Sequence, residues 1–412
     1  MRTRVVVTGM GAISPLGHSL QATWEQVLAG KSGIRTIERL VKAGLKTQFG
    51  GEVKDFDPVA RFGSKDARRM ARCVQFAHVA AEEALQQSGL QVTDDNRDRI
   101  GLLVGTGIGG VDVLIQNAEV MAERGANRIS AMMVPMMLPD SAAGQLAITF
   151  GLRGPNFAVT TACATGTNAL GEASELIRRG AADVMLAGGA EACLHPLIVG
   201  GFSNMGALAE RNDDPQAACR PFDKDRSGFV ASEGSAILVL ESEAHALARG
   251  ATILGEILGY GQSNDAYHIS APAENGSGAA ICMRLALQNA GVQADQIDYV
   301  NAHGTSTYLN DKSETAALKA VLGEHAYKVA ISSTKSMHGH TLGAAGALES
   351  ALTFKAIAAG FVPPTINYTT PDPVCDLDYV PNQARKLQVR RAMKNSFGFG
   401  GHNACLILGS YD

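Results

Sequence analysis

The sequence predicts an α/β fold, and three observations carry that prediction. Short apolar, β-branched runs alternate with helix-like runs from one end of the chain to the other. Gly and Pro punctuate the joins, and no low-complexity linker interrupts them. Many of the 46 glycines stand at apparent strand ends, where a tight turn or a close backbone approach needs them.

In order, the strand-like runs are 4–8, 100–105, 157–161, 184–188, 236–240, 299–301, 329–332 and 405–408. The long helical patterns cover 66–88, 167–179, 277–290, 312–321 and 344–359. Ala164, Gly166, Ile177 and Gly180 recur as Ala344, Gly346, Ile357 and Gly360, each 180 residues on. Both segments read as strand, reactive residue, glycine turn, helix and terminal Gly, so two similar halves are expected.

Bulk properties exclude several classes. The 412 residues suffice for a large core, and 46% hydrophobic with 18% charged residues is ordinary globular composition. A net charge of −4 gives no global attraction to nucleic acid or an anionic membrane. No run of about 18 apolar residues appears, so no membrane insertion is expected. The N-terminus reads as a first strand rather than a signal peptide. Seven scattered cysteines without a Cys-x-x-Cys pair argue against a disulfide framework or metal site, and fit a cytoplasmic protein.

Polar clusters stand at the ends of apolar runs, where α/β sheets gather ligands. Cys163 follows Val159-Thr160-Thr161-Ala162 and precedes a helical pattern. A helix start offers unpaired N–H groups and a positive dipole end, which favour a thiolate nucleophile. A second cluster runs from Asn301 through His303, Thr305 and Thr307. A third runs from Ser332 through Lys335 and His338 to His340. A fourth is the glycine-rich aromatic turn from Asn395 to Asn403. Cysteine is often just a small buried hydrophobe, and that is the reading for the other six. Gly105 to Gly110 matches a dinucleotide-binding fingerprint, but Glu123 lies in a helical pattern rather than at a second strand end. Ser332 to Lys335 fits Ser-x-x-Lys without its partner motifs.

Together Thr161 to Gly166, Asn301 to Thr307, Ser333 to Met337, Gly339-His340 and Asn395 to Asn403 resemble the β-ketoacyl-acyl-carrier-protein synthases of the elongating type. The likeness runs from Val5 to Leu408. It implies a thiolase-like fold of five layers, α-β-α-β-α, with an N-terminal half over 1–250 that carries insertions and Cys163. The C-terminal half, 251–412, carries His303, Lys335 and His340. It also implies a two-step condensation. Cys163 takes an acyl group from acyl carrier protein; malonyl-carrier protein then loses CO₂ and its carbanion attacks the acyl-Cys.

The resemblance assigns the remaining roles. His303 and His340 donate hydrogen bonds to an enolate oxygen, and Lys335 helps keep them neutral. The N–H groups of Cys163 and Phe399 form an oxyanion hole. Ile108, as a gate, with Phe202 and Phe399 lines the acyl pocket. Ser270, Thr305 and Thr307 hold the phosphopantetheine arm that the partner protein brings. Lys65, Arg68 and Arg69, on an expected helix start, dock the acidic carrier protein. A homodimer is implied, and no organic cofactor. A structural monovalent cation is expected near Asn301, Glu349, Asn395 and Ser396. The pattern departs at Tyr308, where many relatives carry Pro, and at Gly206, where some carry a basic residue. The nearest alternative is a polyketide ketosynthase of the same chemistry. A chain-length-factor subunit, a thiolase, a non-catalytic carrier-binding scaffold and an NAD-dependent enzyme fit the cysteine and histidine set less well.

Overall fold

The computed structural model describes residues 2–411; Met1 and Asp412, at the outer ends of the two expected halves, lie outside the described residues. The alternating pattern becomes ten strands of one mixed sheet. They are β1 (Val5–Ile13), β2 (Ile100–Gly105), β3 (Asn156–Phe157), β4 (Val184–Glu191), β5 (Gly234–Ser242), β6 (Gly255–Asn264), β7 (Tyr299–Asn301), β8 (Ala330–Ser332), β9 (Arg391–Gly398) and β10 (His402–Gly409). Their order across the sheet is β3-β2-β4-β5-β1-β6-β10-β9-β7-β8. The second five strands mirror the first five. β2 pairs in parallel with β3 and β4, as β7 does with β8 and β9. β5 runs antiparallel to β4 and β1, as β10 does to β9 and β6. Within the ten-stranded sheet the halves meet at a short antiparallel match, Val6 with Glu256 and Val7 with Gly255.

Parallel neighbours need crossover helices, and each half supplies three. α1 (Arg72–Ser88), α2 (Ser141–Phe150) and α3 (Thr165–Arg178) serve the first half. α4 (Ser277–Ala290), α5 (Tyr308–Leu322) and α6 (Ala345–Ala359) serve the second. Three apolar clusters set the layers. In the central cluster Leu170, Ala173 and Ile177 of α3 and Leu348, Ala351 and Leu352 of α6 meet residues from both halves of the sheet. Outer clusters join α1 and α2 to β2 and β4, and α4 and α5 to β7 and β10. The expected α-β-α-β-α order is therefore present.

The repeat seen in sequence is a contact in space. A Cβ on Gly166 would sit 2.6 Å from Ala347 N, and one on Gly346 would sit 2.5 Å from Thr167 N. These reciprocal approaches, again 180 residues apart, let α3 and α6 touch backbone to backbone. α6 continues a turn that starts at Leu342; the segment to Ala359 has the length and composition of a membrane span, yet most of it is buried inside the fold.

Three local expectations change. The helix expected from 66 begins at Arg72; before it lies a separate helix, Pro58–Ala67, kinked at Gly63 (φ 76°). The strand expected over 157–161 shrinks to Asn156–Phe157. β6 and β9 are additional. Glycines disguise β6, and they are there because α4 packs on it: a Cβ at Gly261 would lie 2.3 Å from Cys282 O. β9 is masked by Lys394, Asn395 and Ser396, polar residues that are nevertheless buried.

Candidate active site

Cys163 lies in a 3₁₀ turn, Ala162–Ala164, that leads into α3 at Thr165. Ala162 holds φ at +49°, a left-handed conformation that costs a non-glycine residue about 1–3 kcal/mol. Thr165 Oγ1 accepts the Thr161 N–H at 2.8 Å and fixes the approach. The turn ahead of α6, Leu342–Ala344, repeats this geometry with Leu342 at φ +43°. Gly398 brings β9 beside the thiol, because a Cβ there would lie 2.7 Å from Thr161 O and 3.0 Å from Cys163 N.

The Phe399 backbone N–H lies close enough to the Cys163 sulphur to favour its thiolate form. Burial pushes the thiol up to about 12, against the pull of Lys335 and that N–H. The helix-start argument therefore needs correction: desolvation outweighs it, and the resting group is a protonated thiol.

The two imidazoles face each other, ring centroids 5.3 Å apart at 82°. The Leu342 N–H donates to His340 Nδ1 at 3.3 Å. That bond places the His340 proton on Nε2, which is buried and has no partner among the described residues. His303 Nδ1 lies 3.5 Å from the Lys335 ammonium, which has no lone pair to offer, so His303 also carries its proton on Nε2. Burial first, then Lys335, hold both rings well below the usual imidazole range. Each ring is thus arranged as a neutral N–H donor.

Charge is concentrated below the rings. Lys335, fully buried, bonds His303 O at 2.6 Å and Glu349 Oε1 at 2.5 Å. Lys394, also fully buried, pairs with Glu349 Oε2 at 2.8 Å. Burial raises Glu349, but the two ammonium groups prevail and keep it ionised. Glu314 accepts the N–H groups of His303 and Gly304, both at 2.8 Å, and fixes the β7 end of the site. A Glu349→Gln variant leaves two buried ammonium groups without a counter-charge. It should lose about 3–5 kcal/mol of stability, read as a lower denaturation midpoint; an unchanged midpoint would mean that the lysines do not depend on Glu349.

A cavity of about 480 Å³ collects most of the expected residues. Cys163, His303 and His340 line it, with Ile108, Phe202 and Phe399, and with Ser270, Thr305 and Thr307. Lys335 is not in the lining and reaches His303 Nδ1 and O from behind the ring. Lys65, Arg68 and Arg69 are exposed outside it. Arg72, beside them in sequence, is committed to Glu233 at 2.7 Å. His338 bonds Thr334 Oγ1 at 3.0 Å and is absent from the lining. The nucleotide-like loop at Gly105 has an internal acid on it. Glu191 accepts from Thr106 Oγ1 at 2.9 Å, Gly107 N at 2.8 Å and Gly343 N at 3.0 Å. A phosphate would have to displace that carboxyl group.

The expected cation position does not fit an added ion. Glu349, Asn395 and Ser396 converge, but on the Lys394 ammonium, which bonds Asn395 O and Ser396 Oγ (3.2 Å) and pairs with Glu349, while Asn301 bonds Glu349 O at 3.4 Å. Lys394, Glu314 and Glu191 escape the sequence reading. Only Lys394 left a signal there, as a lone lysine against the Asn395 motif.

Fold and site define a class: a thiolase-like protein with one thiol and two neutral imidazoles on a single cavity of about 480 Å³. Models of the β-ketoacyl synthase N-terminal domain match residues 2–246, and of the C-terminal domain residues 254–369. The chain belongs to the β-ketoacyl synthase family. It is 50% identical over 410 residues to 3-oxoacyl-[acyl-carrier-protein] synthase 2 of Synechocystis sp., covering 100% of this chain and 99% of that one. It is 45% identical over 407 residues to the protein of the same name from Coxiella burnetii, covering 99% and 98%. Among solved structures, a β-ketoacyl synthase from Burkholderia phymatum superposes with a TM-score of 0.92 at 37% identity over 100% of both chains. A type II polyketide acyl-carrier protein complex with its ketosynthase, bound to the hexaketide, gives 0.93 at 38%, also over 100% of both.

Proposed function

We propose that the chain is a condensing enzyme of fatty-acid elongation, joining acyl- and malonyl-carrier protein into a 3-oxoacyl chain two carbons longer. The observation that carries this is one cavity lined by Cys163 and by two imidazoles fixed as neutral donors. Curated relatives at 45–50% identity bear the 3-oxoacyl synthase 2 name, which favours fatty-acid over polyketide chemistry.

In the first step Cys163 attacks the thioester carbonyl, the pantetheine sulphur leaves, and acyl-Cys163 forms. This is a thiol exchange: the departing sulphur takes up a proton as Cys163 gives one up, so no net base is consumed. The N–H groups of Cys163 and Phe399 stabilise the tetrahedral oxyanion, each by about 3 kcal/mol. In the second step the malonyl group loses CO₂ and its electron pair passes to the thioester enolate. His303 and His340 donate their Nε2–H bonds to the enolate oxygen. The α-carbon attacks acyl-Cys163, the C–S bond breaks, and the thiolate is released to regain a proton. Ile108, Phe202 and Phe399 receive the acyl chain, and Ser270, Thr305 and Thr307 the arm.

Lys65, Arg68 and Arg69 form the docking face for the acidic carrier, supported by their exposure beyond the cavity. A solved relative in complex with an acyl-carrier protein also favours such a partner. The double change Arg68→Glu, Arg69→Glu should raise KM for carrier-bound substrate roughly tenfold, with a weaker salt dependence; an unaltered KM removes this face from docking. Two copies join along the β3 edge, where Asn156 and Phe157 are exposed; Ile148 of α2 is itself 84% exposed. Sedimentation at a dimer mass is the expected result. The reading as a whole is tested by incubation with acyl-carrier proteins of graded chain length, then malonyl-carrier protein. Acyl-Cys163 and a product two carbons longer are expected; absence of any adduct would favour a non-catalytic carrier-binding scaffold.

A further inference from the structure

The centre below the imidazoles contains a group that no step above uses. Lys394 sits on β9, opposite Asn301 of β7 in the register of the sheet. Its side chain is fully buried. Its ammonium meets Glu349 Oε2 at 2.8 Å, Ser396 Oγ at 3.2 Å and Asn395 O. Asn301 and Asn395 point their amide nitrogens at Glu349 O (3.4 Å) and Glu314 Oε1 (3.2 Å). Their amide oxygens are buried with no donor among the described residues. Three oxygens, from Glu349, Ser396 and the Asn395 backbone, surround one positive charge; oxygen donors are what a hard monovalent cation takes, and here a side chain brings that charge.

We infer that the Lys394 ammonium is the resident cation of this centre, a covalently attached substitute for the monovalent metal ion that the site residues would otherwise hold. Glu349 is then shared between two fixed cations, Lys335 above and Lys394 below. An added sodium or potassium ion would bring a third positive charge to one carboxylate, with the ammonium already among those oxygens. The arrangement makes the site independent of the monovalent ion in solution. Burial lowers the Lys394 pKa and the Glu349 carboxylate opposes that, and the ammonium adds to Lys335 in holding both rings neutral. The inference rests on the proposed condensing function only for its consequence, not for its geometry.

The test is thermal unfolding of the full chain in sodium, potassium or tetramethylammonium chloride at equal ionic strength. The unaltered protein should show the same midpoint in all three, within about 1 °C. Lys394→Ser removes the ammonium and leaves an oxygen-lined space. Its midpoint should rise saturably with sodium or potassium, by ~3 °C or more, and not with tetramethylammonium. Lys394→Met fills the space without charge and should not respond. A saturable response in the unaltered protein, or none in Lys394→Ser, overturns the inference. Should Lys394→Ser fail to fold, rubidium-soaked crystals of the unaltered protein decide. No anomalous peak beside Glu349 and Asn301 is expected, and a peak there overturns the inference. Neither readout depends on condensation, so failure of the proposed activity is recognised separately, by the lack of acyl-Cys163.

Discussion

Cys163→Ala should abolish chain elongation, by a factor on the order of 10⁴ or more. The variant should show no acyl adduct in intact mass after incubation with acyl-carrier protein. The argument is chemical. In the proposed reaction the thiol is the acyl attachment point, and no other cysteine is placed to replace it: the remaining six are buried, and Cys163 alone among the seven lines the cavity. Alanine also suits the site sterically, since it removes one sulphur at the end of a short side chain and leaves the 3₁₀ turn and α3 as they are. His303 and His340 keep their positions, so decarboxylation of malonyl-carrier protein should persist while bond formation is lost. Elongation retained in Cys163→Ala would overturn the assignment of the nucleophile. Loss of both activities together would instead point to a collapsed cavity, which thermal unfolding would reveal.

The residues that touch the cavity were largely legible in the sequence, and those that support them were not. Cys163, His303 and His340 lie in short segments whose order is itself informative, because each follows an apolar, strand-like run. The 180-residue repeat was legible for a physical reason. Gly166 and Gly346 are held small by the same helix contact, and Gly180 and Gly360 both adopt positive φ after their helices. Glu314 carries no such mark. It is one acid in a helix, eleven residues past His303, and only the fold of α5 against β7 brings its carboxyl group to two backbone N–H groups. The burial of Cys163 was equally hidden, since a helix start suggests an activated thiolate and desolvation reverses that for the resting group. β6 was lost to its own glycines, because close packing against α4 removes the side chains that reveal a strand.

His303→Ala should slow malonyl decarboxylation by about 10²-fold, the usual loss for one donor to a developing oxyanion, and slow acyl transfer to Cys163 much less. The difference arises because negative charge on the malonyl thioester oxygen develops in the second step only, and in the proposed reaction the Nε2–H of His303 donates to that oxygen. Equal losses in both steps would show that His303 acts elsewhere. pH separates its role from general-base chemistry. Burial and Lys335 keep the His303 and His340 pKa values well below the ordinary 6.5. A base of ordinary pKa would lose activity as pH falls through about 6.5, whereas these rings remain neutral donors there. The decarboxylation rate of folded enzyme should therefore be flat across that point. Stability should not be flat. The unfolded chain binds protons at these histidines below about 6.5 while the folded chain does not, so stability declines as pH falls further. His303→Ala removes one such group and should make that decline shallower. An unchanged slope would mean that His303 is charged in the folded protein, and a charged ring would make Lys335, 3.5 Å away, a repulsive neighbour.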